Sequence, residues 1–255
     1  MGIESPPASV AALYDVHGNL PALEAVLEEI RDAGAGAIVV GGDLVPGPMP
    51  RETIALLLEL EIPTRFIRGN GEVAVLAARA GRDPGRMPEP AREAVEWTAR
   101  QLRPDEERVL AGWPGTVTLR TAGIGDVLFC HATPRNENEI FTRLTAEERV
   151  APAFDGVTAP LVVCGHTHMQ FDRTIGAVRV VNAGSVGMPF GQPGAYWLLL
   201  GRDVQFRRTP YDRANAARRI RGTSYPQAEH FATHGILQPP SESQMLELFA
   251  SSELR

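Results

Sequence analysis

Pro160-Leu-Val-Val-Cys-Gly-His-Thr-His-Met169 is the stretch from which the rest of the chain can be read. Its apolar run, Leu161 to Cys164, predicts a short strand buried on both faces. Gly165 ends the run, and His166 and His168 follow at once in a loop. In extended backbone, residues two apart leave the chain on the same side, so both imidazoles are expected to reach one small volume beyond the strand. Imidazole is the commonest metal ligand among side chains. A lone His-x-His pair serves local hydrogen bonds equally well, so the reading turns on what other segments bring to the same place.

The N-terminal third repeats the pattern. Ala8 to Leu13 predicts a strand that runs into Tyr14-Asp15-Val16-His17-Gly18-Asn19. Pro21 suits a first helical turn, Leu23, Val26, Leu27 and Ile30 recur at helical spacing, and Gly34 suits the C-terminal cap. Ala37 to Val40 is a second strand, ending in Gly41-Gly42-Asp43. Pro50 to Leu60 is a helix, and Thr64 to Ile67 a third strand, ending in Gly69-Asn70-Gly71-Glu72. Strands alternating with helices at this pitch imply a parallel sheet with crossover helices, whose functional loops lie beyond the carboxyl ends of the strands. Asp15, His17, Asp43 and Asn70 all fall there.

Residues 72–112 turn helical and Pro-interrupted, with Ala91 to Leu102 and Pro104 to Ala111 as helices, and read as an insertion over one edge of the site. Thr116 to Thr121 and Val127 to Cys130 form an antiparallel pair that ends at His131. Gln170 to Ile175 with Val178 to Val181, and Ala195 to Leu200 with Val204 to Arg208, read as two further hairpins. The expected organisation is one domain over residues 1–210 and a helical extension, 211–255, packed on it.

Bulk properties exclude several classes. A chain of 255 residues with 44% hydrophobic and 22% charged residues is a globular protein. A net charge of −6 disfavours nucleic acid as a partner, and no apolar run is long enough to cross a bilayer. The first residues resemble no secretory signal, and two cysteines make no disulfide framework, so a cytoplasmic location is expected. All 25 basic residues are arginine, which removes P-loop lysine and Schiff-base chemistry. These numbers are compatible with a homo-oligomer.

Five strand ends therefore carry Asp15 and His17, Asp43, Asn70, His131, and His166 with His168. Capping, turn formation and core packing explain each one singly, but not seven ligand-type residues at successive strand ends. Mixed imidazole, carboxylate and amide donors suit Mn²⁺, Fe or Zn²⁺ rather than a Ca²⁺ cage. Seven donors exceed what one ion needs, which points to two ions sharing a carboxylate.

Asp15-x-His17, Gly42-Asp43, Gly69-Asn70, His131 and Gly165-His166-x-His168, in this order, resemble the five blocks of the calcineurin-like metallophosphoesterase superfamily. Tyr-Asp-Val-His-Gly-Asn and Asn182-Ala-Gly-Ser185 are similar to its small bacterial phosphodiesterase branch. The resemblance implies an α/β fold of two packed mixed β-sheets flanked by helices, in four α/β/β/α layers. It assigns Asp15, His17 and His168 to one divalent ion, Asn70, His131 and His166 to a second, and Asp43 as the bridge. Mn²⁺ is the preferred metal, with Fe, Zn²⁺ or Ni²⁺ as alternatives. The implied activity is phosphodiester hydrolysis by a hydroxide bridging the ions, with a small phosphate ester as substrate and Asp43, Asn70, His131 and Asn19 in the catalytic set. A phosphomonoesterase on the same site, or a non-catalytic protein-binding scaffold of the same fold, are the alternatives.

One departure bears on substrate. Family members with broad activity carry a histidine after the asparagine, where it helps the leaving group; here Gly71 stands instead, and Glu72 is a candidate substitute acting through water. Asn19 and Arg135 are candidate phosphate contacts, Arg68 a weaker one. Cys130 and Cys164 read as small packing residues, and Asn182 and Ser185 as supports under the site. His230 and His234, four apart on a helix but lacking the glutamate of a zinc-protease motif, read as a solvated face.

Overall fold

Four-residue runs such as Val10-Ala-Ala-Leu13 and Leu161-Val-Val-Cys164 carry no polar face, so their strands must be covered on both sides. The computed structural model describes residues 6–254; residues 1–5 and Arg255, the outer ends of the expected domain and tail, lie outside the described residues. In the first sheet β1 (Val10–Leu13) pairs parallel with β2 (Ala37–Val40), and β2 with β3 (Thr64–Phe66), through the crossover helices α1 (Leu20–Asp32) and α2 (Pro50–Leu58). On the other side of β1 lies antiparallel β9 (Ala195–Leu200), followed by edge strand β10 (Val204–Thr209). The second sheet runs β4 (Thr116–Thr121), β5 (Gly125–Cys130), β6 (Leu161–Cys164), β8 (Val178–Asn182), β7 (Phe171–Ile175), with β5, β6 and β8 parallel. The expected fold, two mixed sheets flanked by helices, is the observed one.

Strand alternation sorts the core into layers. Val10, Ala12, Val39, Phe129, Val163 and Leu198 meet between the sheets. Their neighbours Ala11, Leu13, Ile38 and Val40 face outward onto α1 residues Leu23, Val26, Leu27 and Ile30. Cys130 and Cys164, on adjacent strands, join Phe141 and Phe154 on the outer face of the second sheet, where burial pushes both thiols up. They are packing residues, as expected.

Helices cover one edge of the site. The insertion starts earlier than the sequence predicts: α3 spans Asn70–Arg79, because the Glu72 carboxylate accepts the Gly69 N–H at 2.6 Å and nucleates the first turn two residues sooner. Then come α4 (Glu89–Gln101) and α5 (Pro104–Ala111). A short helix, α6 (Glu147–Val150), is not anticipated, since four residues leave no periodic signal. The tail holds α7 (Arg213–Arg221), α8 (Ala228–His230), a π-helical turn over Phe231–Leu237 and α9 (Glu242–Ala250). Ala217, Ile220, Phe231 and Ile236 of the tail share an apolar cluster with Met49 and Ala94 of the body, and Arg219 pairs with Glu24 at 2.6 Å. Among the described residues, no helix is long and apolar enough to cross a membrane.

Polar contacts also tie the two sheets together. The buried Tyr14 hydroxyl, just past β1, donates to the Val163 carbonyl of β6 at 2.9 Å. Tyr14→Phe removes this hydrogen bond and is expected to cost about 1–2 kcal/mol in denaturant unfolding.

Candidate metal centre

The carboxyl ends of β1, β2 and β3 from one sheet and of β5 and β6 from the other open onto the same place. The predicted ligands therefore come from two sheets, not from successive strands of one. Asp15, His17 and His168 bring ligand atoms within 4.8 Å of one another, and Asp43, His131 and His166 do the same. The Asn70 Oδ1 lies 3.1 Å from His131 Nε2, in the second group. Asp43 touches both: its Oδ1 is 3.4 Å from His131 Nε2 and its Oδ2 3.9 Å from His17 Nε2.

This convergence is made by contorted backbone. Asp15, His17, Asp43, His166 and His168 all have positive φ, between 47° and 68°, a region that non-glycine residues rarely adopt and that costs about 1–3 kcal/mol at each such site. The extended geometry expected for His166 and His168 is thus absent. The left-handed kink at each sends them to different groups, His166 beside Asp43 and His168 beside Asp15. Glycines make room for the approach: a Cβ at Gly42, itself at φ 90°, would lie 2.5 Å from the Gly69 nitrogen.

Backbone carbonyls set the rings. His131 Nδ1–H donates to Gly41 O at 2.9 Å, His168 Nδ1–H to Met188 O at 2.7 Å and His17 Nδ1–H to Pro46 O at 3.3 Å. Each bond leaves the Nε2 lone pair facing inward. The Nε2 atoms of His17 and His168 are 3.2 Å apart, two acceptors confronting each other unless a cation or proton lies between them. Among the described residues, the buried Asp15 Oδ1 and His166 Nε2 have no hydrogen-bond partner. Orphaned buried acceptors pointing at one another, in a hard and borderline donor set, fit divalent cations.

The charges couple across the centre, and His131 holds a proton that a bound cation would displace. Burial alone would raise Asp43, but the His131 charge overrides it and holds the carboxyl well below its usual range. Burial likewise opposes the charge on His131, yet Asp43 lifts it to about 10. His166, buried and next to charged His131, falls to about 4 and stays neutral, ready to ligate.

Several candidates are placed elsewhere. Asn19 is not a phosphate contact: fully buried, it caps α1 by accepting the Ala22 N–H at 3.3 Å, and its amide donates to Gly187 O at 2.9 Å. Glu72 is no leaving-group acid either. Its buried carboxylate accepts the N–H groups of Asp43, Val45 and Gly69, tying two ligand loops together, and burial with the Asp43 charge pushes it up to about 7. Arg135 is bound to Glu139 at 2.6 Å and to the Pro152 carbonyl; with Arg68 it borders a separate cavity of about 290 Å³ behind His131, so its guanidinium is already committed. Asn182 and Ser185 do support the site: Asn182 donates to Gly165 O at 2.6 Å and Ser185 to Asp15 O at 2.7 Å.

Sequence reasoning missed the tail's part in the site. A cavity of about 420 Å³ has His17, Asp43, Asn70 and Gly71 at one end and His230 in its far wall. The spacing of His230 and His234 signalled a helix face, and their rings do lie side by side at 4.7 Å, but nothing local indicated which way that face points.

A family model described as the calcineurin-like phosphoesterase superfamily domain matches residues 9–202. The chain belongs to that superfamily. An uncharacterised protein of Methanocaldococcus jannaschii is 26% identical to it over 231 residues, covering 83% of this chain and 91% of the relative. Among solved structures, a metallophosphoesterase from Sphaerobacter thermophilus is 26% identical with a TM-score of 0.67, over 89% of this chain and 100% of its own. A hypothetical protein from Pyrococcus horikoshii, 22% identical, reaches a TM-score of 0.75 over 91% and 99%, a likeness of fold.

Two predictions follow from the centre. A free divalent ion at a hundred times its Kd stabilises the native state by about 3 kcal/mol, which for a chain of this size raises Tm by about 5–10 °C. Thermal scans with and without Mn²⁺ should show that gain, and Asp43→Asn should abolish it. Second, a Cβ at Gly71 would overlap the Val45 carbonyl oxygen and approach Asp43 Oδ1 to 2.9 Å. Gly71→His is therefore expected to cost about 1–3 kcal/mol in unfolding assays rather than restore the family's imidazole.

Proposed function

We propose that the chain is a dinuclear metal-dependent phosphoesterase that prefers phosphodiesters and works with Mn²⁺. The observation that carries this is Asp43, whose two oxygens address two groups of ligands at the end of one cavity. When bound, a pair of ions would lower the pKa of a water to make it nucleophilic at neutral pH and neutralise the phosphate oxygens.

The chain's own residues do the rest. His17, Asp43 and Asn70 present the centre to the cavity, so the phosphate enters on that side. The carbonyls of Gly41 and Met188 keep His131 and His168 in the tautomer that faces inward. Gly71 donates its N–H to Asp43 Oδ1 at 2.6 Å and holds that carboxylate in place. No side chain at Gly71 protonates a leaving group, and Glu72 is enclosed, so esters with good leaving groups are favoured.

A second reading, phosphomonoesterase, is favoured by one observation: His230 lines the same cavity as Gly71 and offers an imidazole from the tail. The test compares bis(p-nitrophenyl) phosphate with p-nitrophenyl phosphate under added Mn²⁺. The diester should be cleaved faster, and Asp43→Asn should lower turnover at least a hundredfold, more than loss of a supporting residue around a metal costs. Faster monoester cleavage that drops about 10²–10⁴-fold in His230→Ala would favour the second reading. A non-catalytic scaffold would turn over neither.

A further inference from the structure

The cavity at the metal centre has two unlike halves. Part of its lining is the ligand cluster; the rest is Pro88, Ala91 and Val95 before and along α4, Met188, and Tyr225 and Phe231 of the tail. At about 420 Å³ it falls within the range of small-molecule sites. The chain has 25 arginines, and none of those among the described residues lines it. Of the polar side chains in this wall, Gln227 is already bonded to Glu93 at 2.7 Å, which leaves His230 and the Tyr225 hydroxyl.

The aromatic wall is fixed in place. Tyr225 packs edge-on against Trp97 of α4 with ring centroids 5.2 Å apart, and Phe231 packs edge-on against Tyr225 at 6.2 Å. The π-helical turn places the buried Phe231 there, and Gln238 N–H closes that turn onto Thr233 O, five residues back. Rigid rings, a methionine and prolines suit a flat apolar group, and a wall without a described arginine rejects one bearing further phosphates.

We propose that this chamber binds an uncharged aromatic ester group of the substrate, so that the enzyme selects aryl phosphodiesters over alkyl ones and over those bearing additional phosphates. The proposal rests on phosphoester hydrolysis at the adjoining centre, with the phosphate held at the His17–Asp43–Asn70 end.

The test separates the two ideas. The whole chain, loaded with Mn²⁺, is titrated calorimetrically with phenylphosphonate and with methylphosphonate, which share a head group and differ in the ring. In parallel, phenyl p-nitrophenyl phosphate and methyl p-nitrophenyl phosphate, which share a leaving group, are compared in kcat/KM after correction for their uncatalysed rates. Phenylphosphonate should bind about 10–100-fold tighter, the worth of burying one ring. Ala91→Trp, at an exposed position on the chamber wall, should bring the phenyl compounds to within about twofold of the methyl ones and leave the methyl compounds unchanged. Equal affinity for the two phosphonates, binding of neither, or an Ala91→Trp effect of the same size on both overturns the proposal. Discrimination between the phosphonates without cleavage of either diester upholds the chamber and removes the phosphodiester reading instead.

Discussion

Two buried carboxylates, Asp15 and Asp43, must keep their charge although almost wholly withdrawn from bulk water, and much of the molecule is arranged around that demand. A buried ion costs several kcal/mol unless it is paired. The protein supplies part of the compensation through His131, and one N–H each from His166 to Asp15 and Gly71 to Asp43. Among the described residues, it leaves Asp15 Oδ1 and His166 Nε2 without partners and sets two imidazole lone pairs against each other. Such an arrangement is poor in isolation and good around cations. The five left-handed residues add strain of the same order, which the fold sustains only because neighbouring parts hold each loop from beneath.

Glu72 is the clearest of these holds. One carboxylate gathers the N–H groups of Asp43, Val45 and Gly69, so the loops after β2 and β3 move as one body. Asn182 does the same for the loop after β6, and Ser185 for the loop after β1. The precision of the ligands is therefore bought in the layer behind them.

Much of this was legible in the residues. Buried parallel strands read as unbroken apolar runs, and their ends carried ligand-type side chains, three of them directly after a glycine (Asp43, Asn70 and His166), so the strand ends and the candidate ligands could be named together. What was not legible came from distance or from backbone. The left-handed turns at His166 and His168 reverse an inference that assumed extended chain. Asn19 is a phosphate contact by pattern and a helix cap by geometry, since the same amide chemistry serves both. Glu72 signalled a helix start, but its reach back to the Asp43 loop is a long-range contact that no local spacing encodes. The bearing of His230 on the cavity depends on how a tail docks against α4, more than a hundred residues upstream.

That docking joins two separately built parts. The candidate metal ligands are drawn from strand ends that the two sheets lock in register, whereas the apolar wall of the cavity comes from α4 and residues 225–231 of the tail. Because the two parts are built separately, the tail and α4 can be reshaped by substitution without displacing the strand ends that carry the candidate ligands.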